Sequence, residues 1–475
     1  MSATPTEGAT AILAYHRATL TLKGLSPQHE LVCPELKWDK RALCWRAPAR
    51  RYRELVTALR QAGVNYRDEA RDYGPLPFQQ REAITPRPYQ AEALAAWREN
   101  GNQGVVVLPT GAGKTILAVM AMAVAQRPTL IHVPTIDLLI QWHQVLEKFF
   151  NMPIGRLGGG YSEIEPITVS TYDSMLIHLE RIGNRFGTII FDECHRLPGD
   201  QYQFLAIGSL APFRLGLTAT PERSDGREEQ LYDLCGGQVY RAYIHDLTGY
   251  TLAPYEVETV EVEMDSDERE AYEAAYTEYI SFLRGSGIDF RQPNGWAKFI
   301  WQASKTPHGR AALRAYQTQK KLSLASHAKR AALWAILQRH VEDRIIVFTQ
   351  DNESAYDLGR LFVLPVLTHQ TKPKERVAFL DAFRSGRFRV LVTSKVLNEG
   401  VDVPEANVAV VVSGSGSVRE HVQRLGRILR ARPGKTAKLY ELIAKDTREY
   451  FVNQRRKKHH AYQGPDPLPQ PQGHD

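Results

Sequence analysis

The chain has 475 residues, with 60 Lys and Arg against 53 Asp and Glu, for a formal net charge of +7. Apolar residues make up 43% and charged residues 24%, a globular composition that excludes wholesale disorder. At roughly 100–200 residues per domain, the length predicts about three domains.

The longest apolar run, Ile116 to Ala125, is about half of what a bilayer-spanning helix needs. The first twenty residues lack the pattern of a secretory signal. Cys33, Cys44, Cys194 and Cys235 are too few and too scattered for a disulfide framework or a cysteine-ligated cluster. These features predict a cytoplasmic, reducing location and no membrane partner. The positive balance suits a polyanion but suits simple solubility as well.

In chain order, the alternation in Thr10 to Leu22 predicts strands and Arg51 to Ala62 a short helix. We place this first unit at 1–72. The breaker-rich Tyr73-Gly74-Pro75-Leu76-Pro77 opens a linker at 73–85. From Pro86 short β-branched runs alternate with helical segments: Val105 to Leu108, Thr129 to Val133, Ile167 to Val169 and Thr188 to Phe191. That is the rhythm of parallel α/β sheets, whose strands are buried on both faces.

The rhythm resumes with Arg344 to Phe348, Arg389 to Thr393, Val408 to Val412 and Lys438 to Leu442. Two α/β units are therefore expected, at 86–245 and 246–455. Between their strand runs, Tyr272, Ala275, Tyr276, Tyr279 and Leu283 recur at helical spacing behind Asp265 or Ser266 as N-cap. The last residues, 456–475, are basic and then proline-rich, and predict a disordered tail.

The phosphate-binding signal is Pro109-Thr110-Gly111-Ala112-Gly113-Lys114-Thr115, between a strand-like run and a helical one. Glycines let the backbone curl so that its N–H groups face phosphate oxygens, with the positive end of the helix behind them. Lys114 suits the β- and γ-phosphates, and the Thr115 hydroxyl suits Mg²⁺. The second half is Thr188-Ile189-Ile190-Phe191-Asp192-Glu193-Cys194-His195, a buried strand delivering two carboxylates at its C-terminal end. Asp192 is placed to hold Mg²⁺ through water, and Glu193 to orient and deprotonate the attacking water. His195 reads as a hydrogen-bond relay. A glycine turn or a capping carboxylate alone would be unremarkable; both in one α/β unit predict ATP hydrolysis.

Thr218-Ala219-Thr220-Pro221 closes the first α/β unit, and Gln423-Arg424-Leu425-Gly426-Arg427-Ile428-Leu429-Arg430 stands near the end of the second. With Asp192-Glu193-Cys194-His195 these motifs resemble superfamily 2 helicases and translocases in order and spacing from Arg87 to Arg430. The chain looks most like the XPB family in its compact archaeal form. Leu108-Pro109-Thr110-Gly111, Val169-Ser170-Thr171-Tyr172-Asp173-Ser174, the run from Ala211 to Thr220, Val401-Asp402-Val403-Pro404 and Ser413-Gly414-Ser415-Gly416-Ser417 carry that likeness.

The resemblance implies an α/β architecture of two RecA-like parallel-sheet domains in tandem. It adds a small α+β N-terminal damage-recognition-like domain and a helical thumb-like insertion at 265–305. ATP would sit between the RecA-like domains, with DNA across them. Arg87 and Gln90 resemble the adenine-side motif, and Thr110, Gly111, Ala112, Gly113, Lys114 and Thr115 the phosphate loop. Gly400 and Asp402 match the motif linking nucleotide state to DNA grip. Gln423, Arg427 and Arg430 match the last motif, whose arginines approach the γ-phosphate and stabilise charge on the transferred phosphoryl.

Pro134, Thr135, Thr171, Thr393 and Ser394 fall where this superfamily sets loops against the sugar–phosphate backbone. XPB proteins carry an Arg-Glu-Asp triplet after the Thr-Ala-Thr motif. Here it reads Arg223-Ser224-Asp225, which assigns Arg223 and Asp225 to DNA and removes the central carboxylate.

Two stretches mix aromatic and basic residues. Lys37 to Arg53 holds Trp38, Trp45 and Tyr52 among seven basic residues and one acidic residue. Trp296, Lys298 and Trp301 lie in the insertion. Stacking amid positive charge suits bases, though tryptophan more often packs in a core. Arg455-Arg456-Lys457-Lys458-His459-His460 is either a foot on DNA or a solubilising run.

The leading expectation is an ATP- and Mg²⁺-dependent 3′–5′ DNA helicase acting on single-stranded or forked DNA in repair. A monomer is expected, and the resemblance implies a nuclease partner. The alternatives are a double-strand translocase with little unwinding and a nuclease-recruiting scaffold. The sister XPD family is excluded, since no cysteine lies between the phosphate loop and Cys194 to hold its iron–sulfur cluster.

Overall fold

The computed structural model describes residues 10–29, 31–78, 81–223, 225–247, 255–288, 290, 294–394, 406–413 and 437–450. The chain forms two compact units, one of Met1–Pro109 with Gly113–Ala242 and one of Thr110–Ala112 with Tyr243–Asp475.

The first unit opens with strands β1 (Ala11–His16), β2 (Thr19–Lys23), β3 (Lys37–Asp39), β4 (Cys44–Pro48) and β5 (Tyr66–Glu69), in the order β3-β4-β2-β1-β5. The period-2 pattern read from Thr10 to Leu22 is the β1–β2 hairpin. Helix α1 (Tyr52–Gln61) covers one face with Leu55, Ala58 and Leu59.

A parallel sheet follows: β6 (Gln103–Val107), β7 (Thr129–Val133), β8 (Ile154–Gly158), β9 (Tyr161–Ser162), β10 (Ile167–Thr171), β11 (Thr188–Asp192), β12 (Phe213–Thr218) and β13 (Gln238–Arg241). Its order is β13-β6-β12-β11-β7-β10-β8-β9, and only the β8–β9 pair is antiparallel. Strands β7, β10 and β11 are buried at every position, so they read as continuous apolar or small-residue runs rather than alternating ones. The connecting helices are α2 (Pro88–Glu99), α3 (Lys114–Ala125), α4 (Ile136–Phe149), α5 (Tyr172–Ile182), α6 (Gln203–Gly208) and α7 (Glu228–Cys235).

The expected linker is strapped onto this sheet. Asp72 N donates to Asn184 O at 3.0 Å, Leu76 N to Gln126 O at 2.8 Å, and Phe78 stacks on Phe150 at 5.0 Å. The N-terminal core includes Tyr73 and Leu210, so apolar burial is continuous across the join. Tyr15 spans it too, its hydroxyl reaching Leu179 O (2.8 Å) and Gly208 O (3.0 Å). Tyr15→Phe is expected to cost about 1–2 kcal/mol in this unit, the price of leaving a half-buried carbonyl short of a donor. The midpoint of urea unfolding measures it.

The second unit contains the short α8 (Ile244–Leu247) and strands β14 (Tyr255–Val262), β15 (Ile345–Phe348), β16 (Val366–Leu367), β17 (Val390–Thr393), β18 (Val408–Val411) and β19 (Ala437–Ala444). They form one parallel sheet ordered β14-β19-β18-β15-β17-β16. Helices α9 (Ser266–Ser286), α10 (Gly295–Lys305), α11 (Pro307–Ala325), α12 (His327–Arg339), α13 (Asn352–Phe362) and α14 (Pro373–Arg384) complete it.

Asp265 is the N-cap of α9, accepting from Glu268 N at 2.8 Å, and Glu268 accepts from His327 N at 2.9 Å. Tyr279 of α9 packs on both Phe299 of α10 (5.7 Å) and Tyr316 of α11 (5.2 Å), so α11 shares a core with the helices of the expected insertion. Tyr276, read as part of the buried stripe, is instead 38% exposed and stacks on Tyr272. Residues 456–475, the expected tail, lie outside the described residues.

Candidate active site

The phosphate loop leaves β6 and turns at Gly111 (φ 85°) and Gly113 (φ 80°) before α3 begins at Lys114. Both glycines adopt left-handed backbone that side chains disfavour. At Gly113 there is a second reason: a Cβ there would stand 2.6 Å from Gln90 Nε2. Gln90 accepts from Arg87 N through Oε1 (3.1 Å) and donates through Nε2 to Gly113 O (3.2 Å). Arg87 Nη1 donates to the Tyr89 hydroxyl at 3.2 Å. Gln90 thus joins the Arg87 segment to the loop. Thr110, Gly111 and Ala112 form the tip of the loop, and Thr115 sits in the first turn of α3. Lys114 Nζ folds back onto Leu108 O at 3.2 Å.

Asp192 ends β11 and is 7% exposed. Burial, and then the neighbouring Glu193 charge, push its carboxyl up to about 6, against the pull of Lys114 and of a hydrogen bond from Trp142. Trp142 Nε1 donates to Oδ2 at 2.8 Å and Glu193 N to Oδ1 at 3.1 Å. Glu193 has φ 51°, a sparsely populated conformation for a residue with a side chain. It aims the carboxylate at His195, whose Nδ1 lies 3.3 Å from Glu193 Oε2 and 3.2 Å from Thr218 Oγ1. Thr218 Oγ1 also accepts from Thr220 N at 3.2 Å. His195 Nδ1 thus stands between the Glu193 carboxylate and the Thr218 hydroxyl.

The residues present fit a hard divalent cation. Burial and the neighbouring Glu193 make ionisation of Asp192 costly, which a cation would relieve, and carboxylate and hydroxyl oxygens are the ligands Mg²⁺ takes.

Arg223 and Asp225 are brought together, with Nε–Oδ1 at 2.7 Å and Nη2–Oδ2 at 2.5 Å. The guanidinium holds the Asp225 carboxyl down to about 2. Arg223 Nη1 also donates to His195 O, so this pair leans on the carboxylate segment.

Thr135 follows Pro134 and is the N-cap of α4, accepting from Leu138 N at 3.2 Å. Thr171 is the N-cap of α5, accepting from Ser174 N at 3.2 Å. Both stand at the C-terminal ends of their strands. Thr393 and Ser394 are buried, donating to Leu367 O (2.9 Å) and Asn352 Oδ1 (2.6 Å). Gly400, Asp402, Gln423, Arg427 and Arg430, and the run from Arg455 to His460, lie outside the described residues.

The aromatic–basic stretches divide. In the first, Arg46 pairs with Asp39, Arg50 with Glu35 and Asp233, and Arg51 with Glu35 and Glu54. Tyr52 is buried, its hydroxyl on Asp68. Much of that charge is spent internally, although Trp38 lines a cavity of 630 Å³ at the join with the parallel sheet. In the insertion, Trp296 packs on Phe299 and Tyr316, while Trp301 is 58% exposed with Lys305 Nζ 3.0 Å above its ring.

Sequence reasoning missed Trp142, Tyr172 and His132. Each reads as core from its spacing, and only the fold brings the polar ends of Trp142 and Tyr172 to Asp192.

Three family models match the chain. The Xeroderma pigmentosum group B helicase damage recognition domain covers residues 13–70, the Type III restriction enzyme res subunit 83–223, and the ERCC3/RAD25/XPB C-terminal helicase 301–466. The DNA 3′-5′ translocase XPB2 of Sulfurisphaera tokodaii is 38% identical over 424 residues, which is 89% of this chain and 96% of that protein. The DNA 3′-5′ helicase XPB of Mycobacterium tuberculosis is 35% identical over 386 residues, spanning 78% of this chain but 63% of its own length. Among solved structures, the Hef helicase domain of Pyrococcus furiosus matches with a TM-score of 0.51 at 21% identity. That match covers 78% of this chain and 98% of the other, and marks a shared fold.

Proposed function

Because the chain belongs to the XPB family of superfamily 2 DNA helicases, we propose that it hydrolyses ATP at the Lys114 loop and the Asp192–Glu193 pair to drive 3′–5′ movement on DNA. The observation that carries this reading is the shared site itself. A glycine loop tied to Gln90 and a buried carboxylate pair stand at the C-terminal ends of β6 and β11, where open α/β sheets bind ligands.

Backbone N–H groups of the loop cradle the phosphates, and Lys114 leaves Leu108 O to meet them. Glu193, held by His195, accepts a proton from the attacking water as it aligns with the γ-phosphate. Mg²⁺, for which Thr115 and Asp192 are the candidate ligands, supplies charge neutralisation on the phosphate oxygens. By resemblance, Arg427 and Arg430 would supply positive charge to the γ-phosphate and Gln423 a neutral hydrogen-bonding amide, while Gly400 and Asp402 would link nucleotide state to DNA grip. Thr135 offers a hydroxyl to the DNA backbone, whereas the Thr171 hydroxyl is buried and donates to Ser174 Oγ at 2.8 Å, which leaves its backbone groups. For Thr393 and Ser394 the buried hydroxyls leave backbone groups as the contact. Such a grip is sequence-tolerant and salt-sensitive.

The substrate we propose is single-stranded or forked DNA in repair, with a monomer as the working form and a nuclease as partner. No described helix is long and apolar enough to cross a membrane, and a cytoplasmic location accords with that. One sequence feature favours a second reading. With Ser224 in place of the family's Glu, the segment has fewer charges, and movement along duplex with little strand separation follows if that carboxylate is needed for opening.

ATPase rate without nucleic acid and with single-stranded DNA, duplex DNA or RNA is the test. We expect DNA to raise the rate at least tenfold over RNA and over none, and a short-tailed duplex to release its strand. A rate indifferent to all nucleic acids overturns the motor. DNA stimulation without strand release selects the translocase.

A further inference from the structure

We infer that Trp142 is a positioning residue that ties DNA engagement to the Asp192 carboxylate, with Tyr172 as its counterpart on α5. This rests on the ATPase reading above.

Trp142 is 1% exposed and lies on α4, seven residues after the N-cap Thr135. Seven residues are two helical turns, so the indole and the N-cap lie on the same side of the helix, about 10 Å apart along its axis. The Nε1–H ends on Asp192 Oδ2 at 2.8 Å. Tyr172 is the first residue of α5, directly after the N-cap Thr171, and its hydroxyl donates to Asp192 O at 2.9 Å.

Helix α4 thus carries a candidate phosphate-contacting hydroxyl at its N-terminus, Thr135, and α5 a candidate backbone contact at the buried Thr171, and each helix carries a hydrogen bond to Asp192. One grips the carboxylate and the other the backbone of the same residue. Helices are stiff, and a buried donor cannot abandon a charged acceptor without leaving both unsatisfied. A small shift of either N-terminus on meeting DNA must therefore move the carboxylate or strain its hydrogen bond. Partners of a metal-holding carboxylate are worth roughly 10–100-fold in metal affinity or activity.

Trp142→Phe keeps an aromatic ring and removes the N–H; Tyr172→Phe does the same for the hydroxyl. Leu139→Val, a trimmed buried residue on the same helix, reports packing loss alone. Two quantities are read on the full-length protein: the ratio of ATPase rates with and without forked DNA, and the affinity for a fluorescent ADP analogue in Mg²⁺ against EDTA.

For Trp142→Phe we expect the DNA stimulation ratio to fall at least fivefold. The Mg²⁺-dependent gain in nucleotide affinity should fall about tenfold, with affinity in EDTA unchanged. Tyr172→Phe should lower the stimulation ratio and spare the Mg²⁺ dependence, since it touches the backbone carbonyl and not the carboxylate. If Trp142→Phe keeps both wild-type values, or loses them only as far as Leu139→Val does, the assignment fails. A wild-type rate that ignores DNA would instead sink the ATPase-motor reading, so the two failures are distinguishable.

Discussion

Glu193→Gln is expected to lower the DNA-stimulated ATPase rate by about 10²–10⁴-fold, the usual contribution of a positioned general base. The amide keeps the volume and can still hydrogen-bond, but it cannot accept the proton of the attacking water. Nucleotide binding should be spared. Gln removes the like charge that, after burial, holds the Asp192 carboxyl up, so Asp192 stays ionised and available to a cation. The left-handed backbone at Glu193 is unchanged in kind by the substitution, so folding should be intact. Steady-state ATPase and fluorescent ADP binding on the same preparation decide it. A fall of less than tenfold in turnover would remove Glu193 from the role of base. A matched loss of nucleotide affinity would point to collapse of the site.

Lys114→Ala provides a useful contrast, since Lys114 supplies charge to bound phosphates and its loss should impair binding and turnover together. The Glu193 substitution separates the two. That separation is chemically informative because the sequence places both residues in one motif set and does not say which step each limits.

The sequence-legible part of the site is the part made by contiguous residues. Gly111 to Thr115, Asp192 with Glu193, and the Thr218–Thr220 segment sit at strand ends because buried parallel strands read as apolar runs, and each run points at its own loop. Gln90 was legible from its place in Arg87-Pro88-Tyr89-Gln90, although its hold on Gly113 O was not. Contacts between distant segments were opaque. Trp142 and Asp192 are fifty residues apart, and an indole at helical spacing looks the same whether its N–H is idle or fastened to a carboxylate.

The aromatic–basic stretch from Lys37 to Arg53 shows the same limit from the other side. Its positive charge is visible in sequence, whereas Glu35, Glu54 and Asp233, which neutralise Arg50 and Arg51, become neighbours only through the fold. The packing of α11 with α9 and α10, through Tyr316 on Tyr279, was hidden for a related reason, since that pairing has no local signature.

Acid should destabilise the first unit through His132, and His132→Phe should remove that sensitivity. His132 is 0% exposed on β7, opposite Phe191 of β11, and stacks on the Phe191 ring at 5.0 Å and 15° with Tyr172 5.6 Å away. Neither ring nitrogen has a hydrogen-bond partner among the described residues. Burial pushes the imidazole down to about 3, far below the value of about 6.5 in an unfolded chain.

The fold therefore accepts only the neutral ring. The stability that goes with it is complete above about pH 6.5 and declines as pH falls, by about 1.4 kcal/mol per pH unit, until the folded-state value is reached. At pH 5 the loss is about 2 kcal/mol. Asp192 acts in the opposite direction over part of this range. Its raised carboxyl favours the protonated form in the folded state, so stability returns as pH falls through about 6 towards the unfolded value near 3.9. The wild-type curve mixes the two, and the difference between wild type and His132→Phe cancels the Asp192 contribution.

Phe offers an apolar ring of similar size, and exchanging an unsatisfied polar group for it is neutral or stabilising. Urea midpoints of the first unit's transition at pH 7, 6, 5 and 4.5 should show the variant gaining on wild type by about 2 kcal/mol between pH 7 and 5. Parallel curves would mean that His132 finds a proton-tolerant partner, and the buried neutral imidazole would have to be abandoned as the origin of acid sensitivity in this sheet.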